Sequence, residues 1–235
     1  LTSGVGSAWG QLRWAPDGTR LAFGYQPGPG PRFYREQTTR VVNLDSGVTT
    51  PLSGRPRLDL PVGFSPDGVH VVYSWPRDGR MVNGNELWLA PANGELGRNL
   101  TRDLGADIDS GLWLADGSGL IIPVDKDTRS ALWFQPLDGP ARRLDMRDVN
   151  LHNHFSISEN GKLAFIGNEP GRANEVYVMD SLSSAPRRLT EFNAHVARVT
   201  LGKQEIFRWR VPDNSQVDGV LTYPPGYTPG RPLHC

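Results

Sequence analysis

The sequence predicts an all-β chain organised as a β-propeller, because one tight-turn motif occurs four times along it. Ser-Pro-Asp-Gly at residues 65–68 is the clearest copy, and an apolar run follows it at 69–73. Pro presets φ at the first corner, Asp hydrogen-bonds its own backbone, and Gly takes the left-handed position at the exit. The predicted structural turns contain Pro16, Asp17, Gly18, Pro66, Asp67, Gly68, Asp116, Gly117, Asn160 and Gly161.

The spacing of these turns is the second observation. The four turn glycines at positions 18, 68, 117 and 161 are separated by 50, 49 and 44 residues. Such periods are typical of propeller blades and exceed those of leucine-rich or ankyrin repeats.

Each period also contains further strand signals after the turn hairpin. An apolar run recurs at 41–44, 87–89, 132–134 and 176–178. A closing leucine follows at Leu52, Leu100, Leu144 and Leu189, and Thr comes after the second and fourth. Four short strands per period make one four-stranded blade.

The predicted units therefore run over residues 11–54, 55–103, 104–145 and 146–190, with a partial unit at 191–210. The Pro/Gly-rich stretch at 26–32 is interpreted as a surface loop between the second and third strands of the first unit. Residues 1–10 are interpreted as the remnant of a preceding blade and a loop, because Leu1-Thr2 matches the Leu-Thr that ends two units.

A larger propeller cut to four blades leaves two blade faces without a neighbour. We expect Leu21 and Phe23 in the first blade, and Leu163 and Phe165 in the last, to lie on those open faces. Each large apolar side chain left in water forfeits about 1.5–3 kcal/mol of burial. Self-association through the open faces is the expected consequence. The alternative is that the four blades close into a small ring, which would bury both faces and leave a compact monomer.

The composition excludes several classes of partner. The chain has 235 residues, 37% of them hydrophobic, and 25 acidic residues balance 25 basic ones. This balance gives no electrostatic basis for binding nucleic acid or a membrane surface. Cys235 is the only cysteine, so no internal disulfide can form. That fits a reducing compartment such as the cytoplasm but does not exclude a periplasm.

No catalytic, cofactor-binding or metal-binding residues are predicted. The chain contains no G-x-S-x-G, and Gly63-x-Ser65 comes nearest, with Asp67 in place of the second Gly. His152 and His154 can point the same way from a strand, but no further zinc ligand follows at a useful spacing. We interpret them as part of a polar inner strand near the propeller channel.

The last part of the chain breaks the repeat. Residues 218–233 read D-G-V-L-T-Y-P-P-G-Y-T-P-G-R-P-L. This segment resembles the start of the catalytic domain in the prolyl oligopeptidase family of serine peptidases, which includes the acylaminoacyl peptidase and dipeptidyl peptidase branches. In that family a buried strand and a His-Gly-Gly segment follow, whereas His234-Cys235 stand here. Residues 211–235 are therefore interpreted as the linker and first strand of a truncated α/β-hydrolase domain.

The resemblance implies a function for the parent protein. The propeller would cover the active site and admit only short peptides, and Ser, Asp and His of the absent hydrolase domain would cleave them. The expected partners are that hydrolase domain and the peptides, and the chain itself is expected to be inactive. Tyr34-Arg35-Glu36 is similar to the Glu pair that anchors substrate in the dipeptidyl branch, but the adjacent Glu is missing, which favours a surface loop. The blades equally resemble TolB-like propellers, so a module that binds a protein partner is the alternative.

The fold prediction is testable by far-ultraviolet circular dichroism. We expect a strand spectrum with almost no helix, because the sequence shows no sustained 3.6-residue apolar period and has turn residues at every strand end. A helix content above about a fifth would contradict the propeller, since globular proteins average about a third.

Overall fold

The computed structural model describes residues 6–52, 58–196, 199 and 201–228, and it confirms an all-β propeller architecture. The first sheet consists of β1 (Ser7–Trp14), β2 (Arg20–Gln26), β3 (Thr38–Asn43) and β4 (Thr49–Pro51). The second consists of β5 (Leu60–Phe64), β6 (His70–Pro76), β7 (Asn85–Pro91) and β8 (Arg98–Asn99). The third consists of β9 (Leu112–Trp113), β10 (Gly119–Lys126), β11 (Arg129–Pro136) and β12 (Arg142–Arg143). The fourth consists of β13 (Asn150–Ile157), β14 (Leu163–Asn168), β15 (Glu175–Met179) and β16 (Arg187–Arg188).

These four sheets are antiparallel meanders in which consecutive strands are neighbours, and we call them blades 1 to 4. A separate two-stranded sheet contains β17 (Gln204–Arg210) and β18 (Gln216–Thr222). The described part of the chain has no α-helix, and its 3₁₀ segments are Pro31–Glu36, Arg77–Gly79, Met81–Asn83 and Arg102–Leu104. No described helix has the length and apolar character that a membrane span requires.

The element boundaries differ in places from the predicted units. β1 begins at Ser7, so it takes in residues that the sequence analysis placed before the first unit. The predicted boundary at residue 210 falls at the turn between β17 and β18, which pair along their whole length. The predictions that concern Leu1-Thr2 and residues 229–235 lie outside the described residues.

The repeated turn has one geometry in all four blades. The amides of Gly18, Gly68, Gly117 and Gly161 donate to the carbonyls three residues earlier, at 2.8–3.0 Å. All four glycines have φ between +69° and +79°, a conformation that costs other residues strain. Ala115 and Glu159 stand where the other two copies have Pro, yet the same turns form. Hydrogen bonding and the glycine therefore define this turn, and Pro is optional.

The side chain before each glycine reinforces the turn. Oδ1 of Asp17 accepts from the amide of Thr19 at 2.8 Å, and Oδ1 of Asp116 accepts from the amide of Ser118 at 2.9 Å. In blade 4, Asn160 accepts from the Ser158 hydroxyl instead. These local bonds explain why Asp or Asn recurs at this position.

The Leu-Thr pair at the end of two blades also has a structural cause. The hydroxyl of Thr101 accepts from the amide of Leu87 at 2.9 Å, and that of Thr190 accepts from the amide of Val176 at 3.0 Å. The fourth strands of these blades are only two residues long. The threonine therefore satisfies an amide of the third strand that the short fourth strand does not reach.

The hydrophobic core consists of three clusters, and each lies between consecutive blades. Blades 1 and 2 bury Ala22, Val41, Leu52, Val71 and Tyr73 between them. Blades 2 and 3 bury Val72, Leu87, Leu120 and Ile122. Blades 3 and 4 bury Ile121, Leu132, Leu163, Phe165 and Tyr177. Among the residues that the structure describes, none of the three clusters joins blade 4 to blade 1, which indicates an open row of blades.

Burial along the strands shows which faces are covered. In β6 and β10 consecutive residues are buried, so both faces of blades 2 and 3 have neighbours. In β14 and β15 burial alternates with half-exposure. The half-exposed face of blade 4 carries the cross-strand pairs Ala164–Val178 and Ile166–Val176. We call this apolar surface the outer face of blade 4.

The residues predicted to lie on open faces are mostly buried, which corrects that expectation. Phe23 is buried in blade 1, and only Leu21 is partly accessible. Leu163 and Phe165 point into the cluster between blades 3 and 4, where Phe165 is 2% exposed. The period of two in a strand places alternate residues on opposite faces. The prediction therefore selected the correct strand of blade 4 but the wrong face.

Truncation of a buried side chain between blades should destabilise the whole chain. Leu132 is 0% exposed in the cluster between blades 3 and 4. We expect Leu132→Ala to lower the free energy of unfolding by about 2–5 kcal/mol, measured by urea denaturation. Leu96→Ala is the matched control, because Leu96 is 71% exposed and its loss should change stability by less than about 0.5 kcal/mol. Equal effects of the two variants would contradict the assigned core.

The stability that the first repeat turn contributes should decrease at acid pH. The amide of Thr19 and then the guanidinium of Arg20 lower the pKa of Asp17 to about 2. A carboxyl whose pKa is lower in the folded state contributes stability above its unfolded pKa of about 3.9. That contribution is lost as the pH falls towards 2. We expect carboxyl NMR titration to place the Asp17 midpoint near 2, and a midpoint near 3.9 would show that the turn bonds do not persist in solution.

Candidate functional site

The first strands of the four blades surround one cavity with a volume of 560 Å³. In every blade the first strand is an edge of the sheet, hydrogen-bonded only to the second strand. The residues that line the cavity come from all four blades: Gly10, Gln11, Arg13, Leu60, Pro61, Val62, Ser74, Asp109, Ser110, Gly111, Leu112, His154 and Phe155. The cavity therefore occupies the position of a propeller channel.

The strands are irregular where they line this cavity. The register of β1 shifts between Trp9 and Arg13, that of β5 between Pro61 and Gly63, and that of β13 between Leu151 and Phe155. In blade 3 the first strand has only two residues, and residues 109–111 precede it. Bulges turn side chains out of the regular alternation and are frequent beside functional sites. The cavity wall thus combines residues of the bulges, such as Gly10, Val62 and His154, with paired residues beside them, such as Leu60 and Phe155.

Gly10 permits the close approach of blades 1 and 2 at this wall. Its φ is +75°, and a Cβ added there would lie 3.2 Å from Cδ2 of Leu60. A side chain at this position would carry backbone strain and would also push against the second blade.

Arg13 is the cation at the cavity wall. Its Nε donates to the carbonyl of Val62 at 2.6 Å, across the boundary between blades 1 and 2. Nη1 donates to the carbonyl of Leu12 at 3.4 Å, and Nη2 donates to the side-chain oxygen of Gln11. Val62 is the residue that the bulge of β5 leaves out of register, and its carbonyl is therefore open to this bond. Partial burial lowers the pKa of the Arg13 guanidinium.

The guanidinium of Arg13 has no acidic partner among the described residues, because none of their carboxylate oxygens lies within 4.0 Å of it. Asp109 and Ser110 line the cavity from blade 3, and His154 lines it from blade 4. All three side chains are exposed. The site therefore combines one fixed positive group with a carboxylate, an imidazole and a hydroxyl on the other blades.

The structure places the residues singled out in the sequence as follows. The repeat turns lie at the blade corners and do not line the cavity. His154 lines it, while His152 is exposed in the same bulge. Ser65 is buried in its turn, where its hydroxyl donates to Asp67 and accepts from the amide of His70 at 2.9 Å. Arg35 and Glu36 are exposed in the 3₁₀ segment Pro31–Glu36.

The arrangement can bind a ligand, but it shows no catalytic or metal-binding constellation. Within the described ranges, no group of three His, Cys, Asp or Glu side chains is close enough to hold a metal ion. Arg13 and Asp109, which line the cavity, were not predicted from the sequence. The glycine and polar residues that interrupt the first apolar run at 10–13 were the available signal.

The β17–β18 hairpin lies outside the four blades. Its strands pair from Gln204–Thr222 to Arg210–Gln216, and Nε of Arg208 contacts Oδ2 of Asp218 at 3.1 Å. Ile206 lines two cavities together with Arg129 of blade 3, so this side of the hairpin borders the blades. The hairpin is thus an additional element that adjoins one end of blades 3 and 4.

One face of the hairpin carries exposed aromatic side chains. Phe207 is 53% and Trp209 is 42% exposed, and their rings stack with centroids 5.9 Å apart. Leu221, opposite Glu205 on the same face, is also exposed. We call Phe207, Trp209 and Leu221 the aromatic face of the hairpin. Exposed apolar surface is typical of interaction sites where it forms a large contiguous patch.

Comparison with known proteins identifies the fold. No family model matches the chain, and no curated protein matches it. The acylaminoacyl peptidase of Pyrococcus horikoshii is 16% identical with a TM-score of 0.68, over 96% of this chain and 33% of that one. TolB from Acinetobacter baumannii is 17% identical with a TM-score of 0.58, over 90% of this chain and 51% of that one. An oligogalacturonate lyase in complex with manganese is 16% identical with a TM-score of 0.63, over 95% of this chain and 67% of that one.

These similarities establish the propeller fold that peptidases, TolB and a lyase share. The chain spans about a third of the acylaminoacyl peptidase and about half of TolB. One fold hosts several activities, so function has to be argued from the cavity and the hairpin.

The expectation that the chain alone has no hydrolytic activity can be tested directly. No described serine hydroxyl forms a hydrogen bond to a histidine imidazole, the base that most often activates a serine nucleophile. We expect the purified chain to leave peptide and ester substrates uncleaved above background. Turnover that a serine-directed phosphonate abolishes, with the label mapped to a serine of these 235 residues, would contradict this interpretation.

Proposed function

We propose that the chain is the propeller part of a serine peptidase similar to the prolyl oligopeptidase family, and that it controls the access of short peptides to a hydrolase domain. The observation that carries this proposal is the β17–β18 hairpin, a sheet that is separate from the blades. Its second strand contains the Asp-Gly-Val-Leu segment at 218–221 that resembles the start of the family's catalytic domain.

The exposure of the hairpin supports the same conclusion. Its aromatic face leaves two large rings about half exposed, which is unfavourable unless another element covers them. A two-stranded hairpin is also marginally stable alone and needs further strands or a packed partner. A hydrolase domain that continues from β18 would supply both.

The cavity between the blades supports the gating role. Its volume of 560 Å³ lies in the range of small-ligand sites, so it admits a short peptide and excludes a folded protein. A polar wall with a fixed cation suits a substrate with charged termini.

Expression of the complete reading frame that encodes this chain tests the proposal. We expect the product to cleave a short chromogenic peptide, to lose activity after reaction with a serine-directed phosphonate, and to cleave the same sequence poorly within a folded protein. The control is the same product with the nucleophilic serine replaced by Ala, which should keep the fold and lose turnover. A product without hydrolase motifs, or one that cleaves folded and unfolded substrates equally, would contradict the proposal.

A TolB-like binding propeller is the second candidate. The observation in its favour is that the similarity to TolB covers 90% of this chain. In this case the loops and the aromatic face would bind a protein partner. A complete reading frame that encodes no hydrolase domain would favour this candidate.

A further inference from the structure

Arg13 is a cation fixed in position without being neutralised. All three of its hydrogen bonds go to uncharged oxygens, those of Val62, Leu12 and the Gln11 amide. Such bonds orient the guanidinium and leave its charge available. They also do not exhaust the five N–H donors of an arginine. A partly buried charge without a counter-ion is unfavourable, so the group is suited to bind an anion.

The position of Arg13 restricts the kind of anion. Its side chain lines the 560 Å³ cavity, where apolar Leu60 and Phe155 provide part of the wall. Asp109 of blade 3 lines the same cavity, and it makes no ion pair with Arg13 within 4.0 Å. The cavity thus presents a cation and a separate carboxylate. A dianion such as phosphate would meet repulsion from Asp109, whereas a ligand with a carboxylate and a distant amine matches both charges.

We propose that this cavity binds the C-terminal carboxylate of a short peptide through the guanidinium of Arg13. The planar fork of arginine donates two parallel hydrogen bonds to a carboxylate, which gives specificity for that group. Asp109 faces the amino-terminal part of the peptide. The choice of a peptide as the carboxylate carrier rests on the proposed function, and the anion site itself rests on the geometry.

Binding to the purified chain tests this site without any hydrolase activity. The probes are trialanine with a free carboxylate and trialanine amide, titrated by isothermal calorimetry. Removal of one charged hydrogen-bond partner typically weakens binding by tenfold or more, so we expect the amide to bind at least about tenfold more weakly. Acetate and inorganic phosphate, added as competitors, should displace the peptide only at much higher concentration.

Variants of Arg13 test whether its guanidinium is the group that binds the carboxylate. Arg13→Gln should reduce the affinity for the free acid to that for the amide, and Arg13→Lys, which keeps the charge without the planar fork, should lie between. Arg142→Gln is the matched control. Arg142 belongs to the outer strand β12, where its guanidinium lies over the ring of Phe134, and it does not line the cavity. It should bind like the unmodified chain.

The proposal would be overturned by equal affinity for acid and amide, by no binding of either, or by unchanged binding to the Arg13→Gln variant. If Arg13→Gln does not fold, the comparison of acid and amide on the unmodified chain still decides. Acetate that binds as tightly as trialanine would also overturn it, because the site would then recognise free carboxylates. A failure here leaves cleavage by the complete reading frame unaffected, and the two proposals can fail separately.

Discussion

The packing of one blade against the next is the interaction on which the rest of the structure depends. A four-stranded sheet of this size has two apolar faces, and only a neighbouring blade covers them. Blades 2 and 3 are buried on both faces, while blade 4 buries Phe165 and Tyr177 on one face and leaves Ile166 and Val176 half-exposed on the other. The stability of each blade therefore depends on its neighbours, as in repeat proteins generally.

The same stacking builds the candidate site. Bulges in the first strands remove residues from the ladder, and blade contact then brings these segments together around the cavity. The hydrogen bond from Arg13 to the carbonyl of Val62 contributes to blade packing and to the cavity, since it links blades 1 and 2 and fixes the cation at the cavity wall. One side chain therefore contributes both to the alignment of the two blades and to the cavity wall, and its partner carbonyl is exposed by the bulge of β5.

Local interactions explain which parts of this structure the sequence could predict. The turns at Gly18 and Gly68 depend on bonds within a few residues, so their pattern is visible in the chain itself. The closing threonines were visible as a repeat, but their bonds to the third strand were not. The cavity depends on the juxtaposition of three bulged strands and one short strand that are distant in sequence, and no local pattern encodes it. The pairing of β17 with β18 was missed for a related reason, because the break in the repeat placed a boundary between two strands that form one hairpin.

Static light scattering of the purified chain tests the central claim, that the blades form an open row with an uncovered outer face on blade 4. An open row of blades should self-associate and give a mass above the 25.9 kDa of one chain. The variant Ile166→Lys, which places a charge on that face, should shift the population towards the single chain. A stable 25.9 kDa monomer with a sharp cooperative melt, unaffected by this variant, would contradict the open row and indicate that the four blades close on themselves.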